Sequence, residues 1–434
     1  MRIDRLVVEN FKGFSKREFT FHPEFNLVVG ENGRGKTSVL EALTVAVGSW
    51  LLGLRGYDTR HIRTTDVRLQ AFTTDEGVHW EGQYPCVVAA RGEVQGERLE
   101  WQRTLNAPGG RTTYGDARRI KELAARSDEA VRKGEAIVLP LLSYYSTGRL
   151  WNVPREQARV GANEMVTART GLSRLEAYRY SVDGRLSVPE LVAWIARQSW
   201  IAFQKQGVSS PAFAVAREAL IRNVQGATDV SFDAGLGEVV VDFGEDRRQP
   251  FNNLSDGQRC MLALVGDLAR KAAMLNPHLG KRALTETPGV VLIDELDLHL
   301  HPTWQRRVIE DLRTTFPRLQ FICTTHSPFL IQSLRSGEEL VMLDGQPTAQ
   351  LGDLGLDTIA RGIQGVHAPE VSARYAEMKD VARDYLETLE VARLAPEEKL
   401  AAYRERLADA IAPYADNPAF QAFLEFKRAA RLGE

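Results

Sequence analysis

Residues 30–37 read Gly-Glu-Asn-Gly-Arg-Gly-Lys-Thr, which fits the spacing G-x-x-x-x-G-K-[ST] in full. Gly30, Gly33 and Gly35 let a backbone curl around a phosphate chain with its N–H groups turned inward. A helix expected to open near Lys36 adds the positive end of its dipole. Asn32, Arg34 and Ser38 complete the expected phosphate-contacting set. Lys36 is suited to neutralise the β- and γ-phosphates, and the Thr37 hydroxyl to ligate Mg²⁺. The chemistry this stretch predicts is binding of a nucleoside triphosphate.

Two more stretches end apolar runs in reactive side chains. "GVVLIDE" (289–295) places two acids at the end of a buried-type strand. Paired carboxylates there call for a cation or a catalytic duty. Asp294 suits Mg²⁺ held through water, and Glu295 suits polarisation of an attacking water. "FICTTHSP" (321–328) ends in a polar turn. In a parallel sheet it would reach the same rim, where His326 could sense the γ-phosphate. Asp297, just past the acids, is expected to face another subunit. His299 and His301 lie two residues apart without an evident third ligand, so the spacing gives no metal site.

A second anion-holding turn lies more than two hundred residues beyond the first. Ser255, Asp256, Gly257 and Gln258 follow the strand-like "GEVVVDF" and open a helix-period run. A hydroxyl and a glycine amide at a helix N-terminus hold an anion. One active site needs one cradle. The second makes sense if it serves the nucleotide of another copy, two chains sharing two nucleotides across a two-fold axis.

These residues need a frame. Short β-type runs fill the N-terminus, and "FNLVVG" is a buried strand feeding the glycine turn. A helix is expected over 36–54, then strands at "DVRLQAF", "CVVAAR" and "ERLEWQRTL", a charged helix over 115–133, and a strand over 136–146. Residues 152–230 read as a helical insertion without sustained heptads. From 236 strands and helices alternate, which predicts a mainly parallel sheet covered on both faces. After about 350 the pattern is helical. In the tail Phe420, Phe423, Leu424 and Phe426 lie close together, as either a core-docking helix or a partner-docking one.

The 434 residues are 44% hydrophobic and 26% charged, with a formal net charge of -2, so the whole chain carries no bias toward polyanions. The basic run 115–133 is expected to be a solvated helix face. Three cysteines without a C-x-x-C pair predict neither a disulfide framework nor a zinc site, and a reducing compartment. The N-terminus lacks a signal-type apolar block and no run approaches the ~20 residues that span a bilayer. A cytoplasmic location without membrane attachment is the expectation.

With "GENGRGKT", "LSDGQR", "VVLIDELD" and "TTHSP" in this order, the chain resembles ATP-binding-cassette ATPases of the soluble RecF-, SMC- and OLD-type group. The resemblance covers roughly residues 1–345. It implies an α/β ABC-ATPase head, with a mixed or parallel sheet carrying the P-loop and an N-terminal β-rich lobe. A helical insertion (about 152–230) and a helical C-terminal extension (346–434) complete the expected layout. "LPLLSYYSTGRLW" (139–151), "DELDLHLHPTWQ" and "DNPAFQAFLEFKRAARLGE" look like the anti-phage Septu PtuA-type ATPases. That likeness implies an ATPase using ATP and Mg²⁺, forming a homodimer or a higher homo-oligomer of dimers. It also implies a partner HNH endonuclease, with DNA engaged through the complex. Tyr144 and Arg149 fall near the nucleotide-sensing loop of related heads. The alternative is a RecF-like DNA-repair ATPase acting on DNA without a nuclease partner.

Overall fold

The structure, a computed structural model, describes residues 1–75, 77–149, 173–244, 247–344, 355–364 and 373–393. It also describes 402–432 apart from 404, 407, 411 and 413–417. The described chain divides into two compact units, Met1–Ile359 and Ala360–Glu434.

The first unit opens with β1 (Arg2–Phe11) and β2 (Phe14–Thr20), an antiparallel pair. β3 (Phe25–Val29) follows, with every residue buried, and leads through the glycine turn into α1 (Lys36–Val47). β4 (Leu69–Thr74) and β5 (Gly77–Gly82) form a separate hairpin; β6 (Cys86–Val94) and β7 (Glu97–Leu105) join the first pair. The resulting four-stranded antiparallel sheet has the order β2-β1-β6-β7 and is the β-rich lobe. Its strands alternate buried and exposed residues, as a sheet with one wet face must.

α2 (Arg118–Arg132) then leads to β8 (Leu141–Tyr145). After the undescribed stretch come α3 (Val188–Gln204) and α4 (Pro211–Asn223). Each is started by a serine N-cap with proline in the first turn. β9 (Asp229–Asp233), β10 (Glu238–Asp242) and β11 (Arg248–Pro250) form a small antiparallel sheet. The long α5 (Asp256–Leu275) follows, then β12 (Gly289–Ile293), α6 (Val308–Thr315), β13 (Leu319–Thr324), α7 (Pro328–Gln332) and β14 (Leu340–Met342).

Strands β14, β3, β13, β12 and β8 lie in that order in one wholly parallel sheet. β3, β12 and β13 are buried along their full length, so apolar runs such as GVVLI are what a doubly covered sheet requires. Because all five strands point the same way, the turns after β3, β12, β13 and β8 gather at one rim. The architecture is α/β, a five-stranded parallel sheet beside an antiparallel lobe.

Several expected boundaries move. The helix expected over 36–54 ends at Val47, where Gly48–Gly53 tighten into a 3-10 turn. The strand expected over 136–146 contracts to Leu141–Tyr145: Pro140 has no N–H to give a ladder, and its carbonyl accepts from the Tyr178 hydroxyl at 2.7 Å. Of the helical insertion, 152–172 lie outside the described residues, and β9 already begins at Asp229. β5 was not foreseen, since its Val78 and Trp80 are exposed and give no buried-strand signal. In the charged run, Arg119 pairs with Glu97, Arg132 with Asp128 and Lys133 with Glu129.

In the second unit, α8 (Ala373–Arg393) and α9 (Pro418–Leu432) pack through Tyr385, Leu389 and Leu424, with Phe420 against them. The tail aromatics therefore divide: Phe420 and Leu424 serve the core, while Phe423 (48%) and Phe426 (70%) are exposed. Spacing on a 3.6-residue helix separates the two pairs.

Candidate active site

The turn after β3 is built by backbone conformation. Gly33 and Gly35 have φ of 81° and 98°, the left-handed region that costs other residues roughly 1–2 kcal/mol each. A Cβ on Gly35 would also lie 2.7 Å from the Phe14 ring. Gly30, Asn32 and Arg34 form the outer arc, where Arg34 reaches Glu31 at 3.2 Å and Asp344 at 3.4 Å. Lys36 opens α1 and turns back over the loop, its Nζ donating to the carbonyls of Gly30 (2.7 Å) and Glu31 (3.1 Å). Burial pulls its pKa below the ordinary lysine value, opposed by Glu295, Asp294, Asp344 and Asp297.

Four carboxylates around one ammonium make a site that is short of positive charge. The Thr37 hydroxyl donates to Asp294 Oδ2 at 2.9 Å, and the buried Asp344 Oδ2 has no partner. A hydroxyl and a carboxylate that converge at the start of a phosphate-type turn fit a hard divalent cation, with Thr37 and Asp294 as the holding pair. Ser38 lies beside them, half-buried, in the first turn of α1.

Asp294, 2% exposed, is fixed from a second side by Thr324, whose hydroxyl donates to Oδ1 at 2.6 Å. The same Thr324 Oγ1 accepts from the Glu295 backbone N–H at 2.7 Å. The parallel register that sets Ile293 beside Cys323 brings Thr324 to both acids. Glu295 is half-buried and takes a left-handed φ of 49°, a strained conformation. Thr325 donates to Asp297, and His326 stands exposed in the next position.

Arg149 closes the arrangement from β8. Its guanidinium, 1% exposed, donates through Nη1 to the Asp294 carbonyl (2.7 Å) and through Nη2 to the Glu295 carbonyl (3.1 Å). The Asp294 N–H donates to the Tyr145 carbonyl at 2.8 Å. Tyr144 is buried next to this point, and burial followed by the Asp294 charge raises its hydroxyl pKa. Sequence spacing does not reveal the parts played by Thr324, Thr325 and Asp344. Two threonines closing a parallel strand beside the acids were the available signal.

Ser255–Gln258 form a second turn at the start of α5. Ser255 caps α5 in a reciprocal capping box: its Oγ accepts from the Gln258 N–H (3.3 Å), and Gln258 Oε1 accepts from the Ser255 N–H (3.1 Å). Asp256 pairs with Arg259. A Cβ on Gly257 would meet the His299 carbonyl at 2.7 Å, so only glycine lets the helix start approach the segment after Glu295. Ser255 and Asp256 face solvent.

Cys86, Cys260 and Cys323 are all buried and unpaired, and burial pushes the Cys86 thiol up to about 12. Among the described residues no helix is long and apolar enough to cross a membrane, and no His/Cys/Asp/Glu cluster of metal-site type occurs. His301 instead caps a short turn, its Nδ1 accepting from the Thr303 N–H at 3.3 Å.

Two family models match, an AAA domain over residues 5–191 and an AAA domain described as putative AbiEii toxin, Type IV TA system, over 154–332. A retron Vc95 probable ATPase of Vibrio cholerae is 24% identical, over 77% of this chain and 72% of its own. Septu protein PtuA of Bacillus thuringiensis is 21% identical over 85% and 82%. A DNA replication and repair protein RecF of Mannheimia succiniciproducens is 56% identical over a short match, 10% of this chain and 12% of its own.

Proposed function

We propose that this chain, an ATPase that matches two AAA-domain models and is similar to the retron ATPases, to Septu PtuA and to RecF, is an ATP-driven switch controlling a partner nuclease in anti-phage defence. The observation that supports this reading is the convergence of Lys36, Thr37, Asp294 and Glu295 on one rim, together with a capped turn at Ser255 that is exposed to solvent.

In this reading the loop amides and Lys36 hold the triphosphate, with Asn32, Arg34 and Ser38 around it. Thr37 and Asp294 would hold Mg²⁺, which would supply positive charge to the phosphates. Glu295 orients the attacking water and accepts its proton, and His326 steadies the γ-phosphate side. Ser255, Asp256, Gly257 and Gln258 reach the nucleotide of a partner copy, with Asp297 at the same junction. A homodimer, or a higher homo-oligomer of dimers, is therefore the working unit. The helical extension 346–434 is assigned to docking of an HNH endonuclease, with Phe423 and Phe426 as its exposed apolar contacts. DNA is met through that complex. Three buried free cysteines are in keeping with a reducing cytoplasm.

The test pairs Glu295→Gln with affinity purification from the native operon. Glu295→Gln should bind ATP, lose turnover by about 100-fold or more, and accumulate as an ATP-bound dimer. Wild-type turnover in that variant would remove Glu295 from its role. A stoichiometric HNH protein in the eluate is expected. Salt-sensitive, ATP-dependent retention on DNA with no partner would favour a RecF-like repair ATPase instead.

A further inference from the structure

A cavity of about 700 Å³ opens between the segment that follows α1 and the turn before α3. This is the size of a small-molecule site. Arg55, Arg60, Arg63, Arg132 and Arg179 line it. Three carboxylates, Asp58, Glu176 and Asp183, line it too, and Asp66 and Asp128 stand behind three of the arginines, so the cavity offers guanidinium forks rather than a net charge. Arg60 is spent on the buried Asp66 (2.9 Å), but the other four arginines are only partly spent on internal pairs. Arg55 (3.5 Å) and Arg132 (2.8 Å) share the single carboxylate of Asp128, which is 1% exposed. Arg179 lies 3.9 Å from Glu176, and Arg63 is exposed.

Three tyrosines, Tyr57, Tyr178 and Tyr180, complete the wall. Tyr180 has a left-handed φ of 59°, uncommon for a bulky side chain and a mark of backbone held for a purpose. Arg179 and Arg185 lie 5.7 and 5.9 Å from its ring centre. Tyr57 donates its hydroxyl to Glu176 Oε1 at 3.4 Å. Guanidinium forks recognise phosphate and tyrosine rings accept a flat base.

We propose that this cavity is a second site, for a free phosphorylated nucleoside distinct from the hydrolysed ATP, and that its occupancy regulates the ATPase. The route is short. The cavity residue Ser181 accepts through its carbonyl from the Tyr144 N–H at 2.8 Å, and Gly184, next to the cavity residue Asp183, accepts from the Ser146 N–H at 3.0 Å. The Ser146 carbonyl accepts from the Arg149 N–H at 3.1 Å, and Arg149 holds the carbonyls of Asp294 and Glu295. Binding does not depend on the proposed roles of those acids; only the regulatory consequence rests on them.

The experiment removes the first site and reads the second. Full-length Lys36→Ala protein is titrated calorimetrically with AMP, GMP, ADP and a 5′-phosphorylated oligothymidine. At least one mononucleotide should bind, and Arg63→Gln with Arg179→Gln, both on solvent-reached side chains, should weaken it at least ten-fold with an unchanged melting temperature. In the wild type at saturating ATP, the bound mononucleotide should change the rate of phosphate release, and the arginine pair should abolish that change. No residual binding by the Lys36→Ala protein, or binding indifferent to the arginines, overturns the site. Binding of the oligonucleotide alone reassigns the cavity to a strand end and overturns the free-nucleotide proposal. Arginine-dependent binding without effect on phosphate release overturns the regulation.

Discussion

Replacing Arg149 by Met keeps side-chain length and removes a buried guanidinium. Two charge-assisted bonds are lost, to the carbonyls of Asp294 and Glu295, each worth about 1.5–3 kcal/mol. Against that, the variant no longer buries a cation whose Nε has no partner, a burial that costs several kcal/mol. The net loss of stability should be small, about 1–3 kcal/mol. The effect on chemistry should be larger. Arg149 holds Glu295 by its carbonyl in a left-handed conformation, and freeing it lets the carboxylate drift by about an ångström, worth roughly 100-fold in rate. Lys36 and its loop are untouched, so KM for ATP should stay within a few-fold while kcat falls about 10- to 100-fold. Arg149→Lys, able to make one of the two bonds, should recover part of the loss. Steady-state phosphate release alongside urea unfolding separates the two effects. A folded Arg149→Met protein with wild-type kcat, or one with only KM raised, refutes the claim that this arginine positions Glu295.

Two further tests address parts of the molecule away from that residue. Asp267, 2% exposed, accepts from Arg270 and from the Tyr145 hydroxyl at 2.7 Å and pairs with Lys271 at 2.9 Å, tying α5 to β8. Burial alone would raise its pKa, but Lys271 and Arg270 outweigh burial and hold it well below the ordinary value. Its contribution is therefore complete above the unfolded carboxylate pKa of about 3.9 and is lost as pH falls toward the folded one. Asp267→Asn should cost about 3–5 kcal/mol near neutral pH and flatten the acid limb of the melting temperature below about pH 4; parallel limbs in the two proteins would dismiss the network. Ser255→Arg and Lys36→Ala should each stop turnover alone, yet their mixture should regain part of it, because a mixed dimer keeps one site with an intact loop and an intact facing turn. No recovery on mixing would show that the two cradles do not act across a two-fold pair.

What can be read along the chain is what short segments decide for themselves. The loop at 30–37 is legible because its glycines answer a backbone demand within a few residues, φ of 81° and 98°, and because the lysine and threonine follow at the helix start. The capped turn at Ser255 is legible for the same reason, since the bond to Gln258 spans three residues. Strand β12 is legible as an apolar run ending in acids. The hairpin partner β5 is not, because its side chains pack on nothing that would mark them. Nor can spacing say that Phe420 and Leu424 turn inward while Phe423 and Phe426 turn out until the helix phase is set against α8.

The sequence by itself singled out Lys36, Thr37, Asp294 and Glu295 as one group, and determined the parallel sheet that carries them. Tertiary structure alone decided what holds those acids in place. Thr324 meets Asp294 across 30 positions of sequence and Arg149 meets it across 145. Both contacts depend on strand register, Ile293 beside Cys323 on one side and beside Tyr145 on the other. The arginine-lined cavity has the same origin, joining residues 55–63 to 173–183. The hydrophobic pattern of each strand restricts its register, but which strand lies beside which is settled only when side chains from distant segments are buried together.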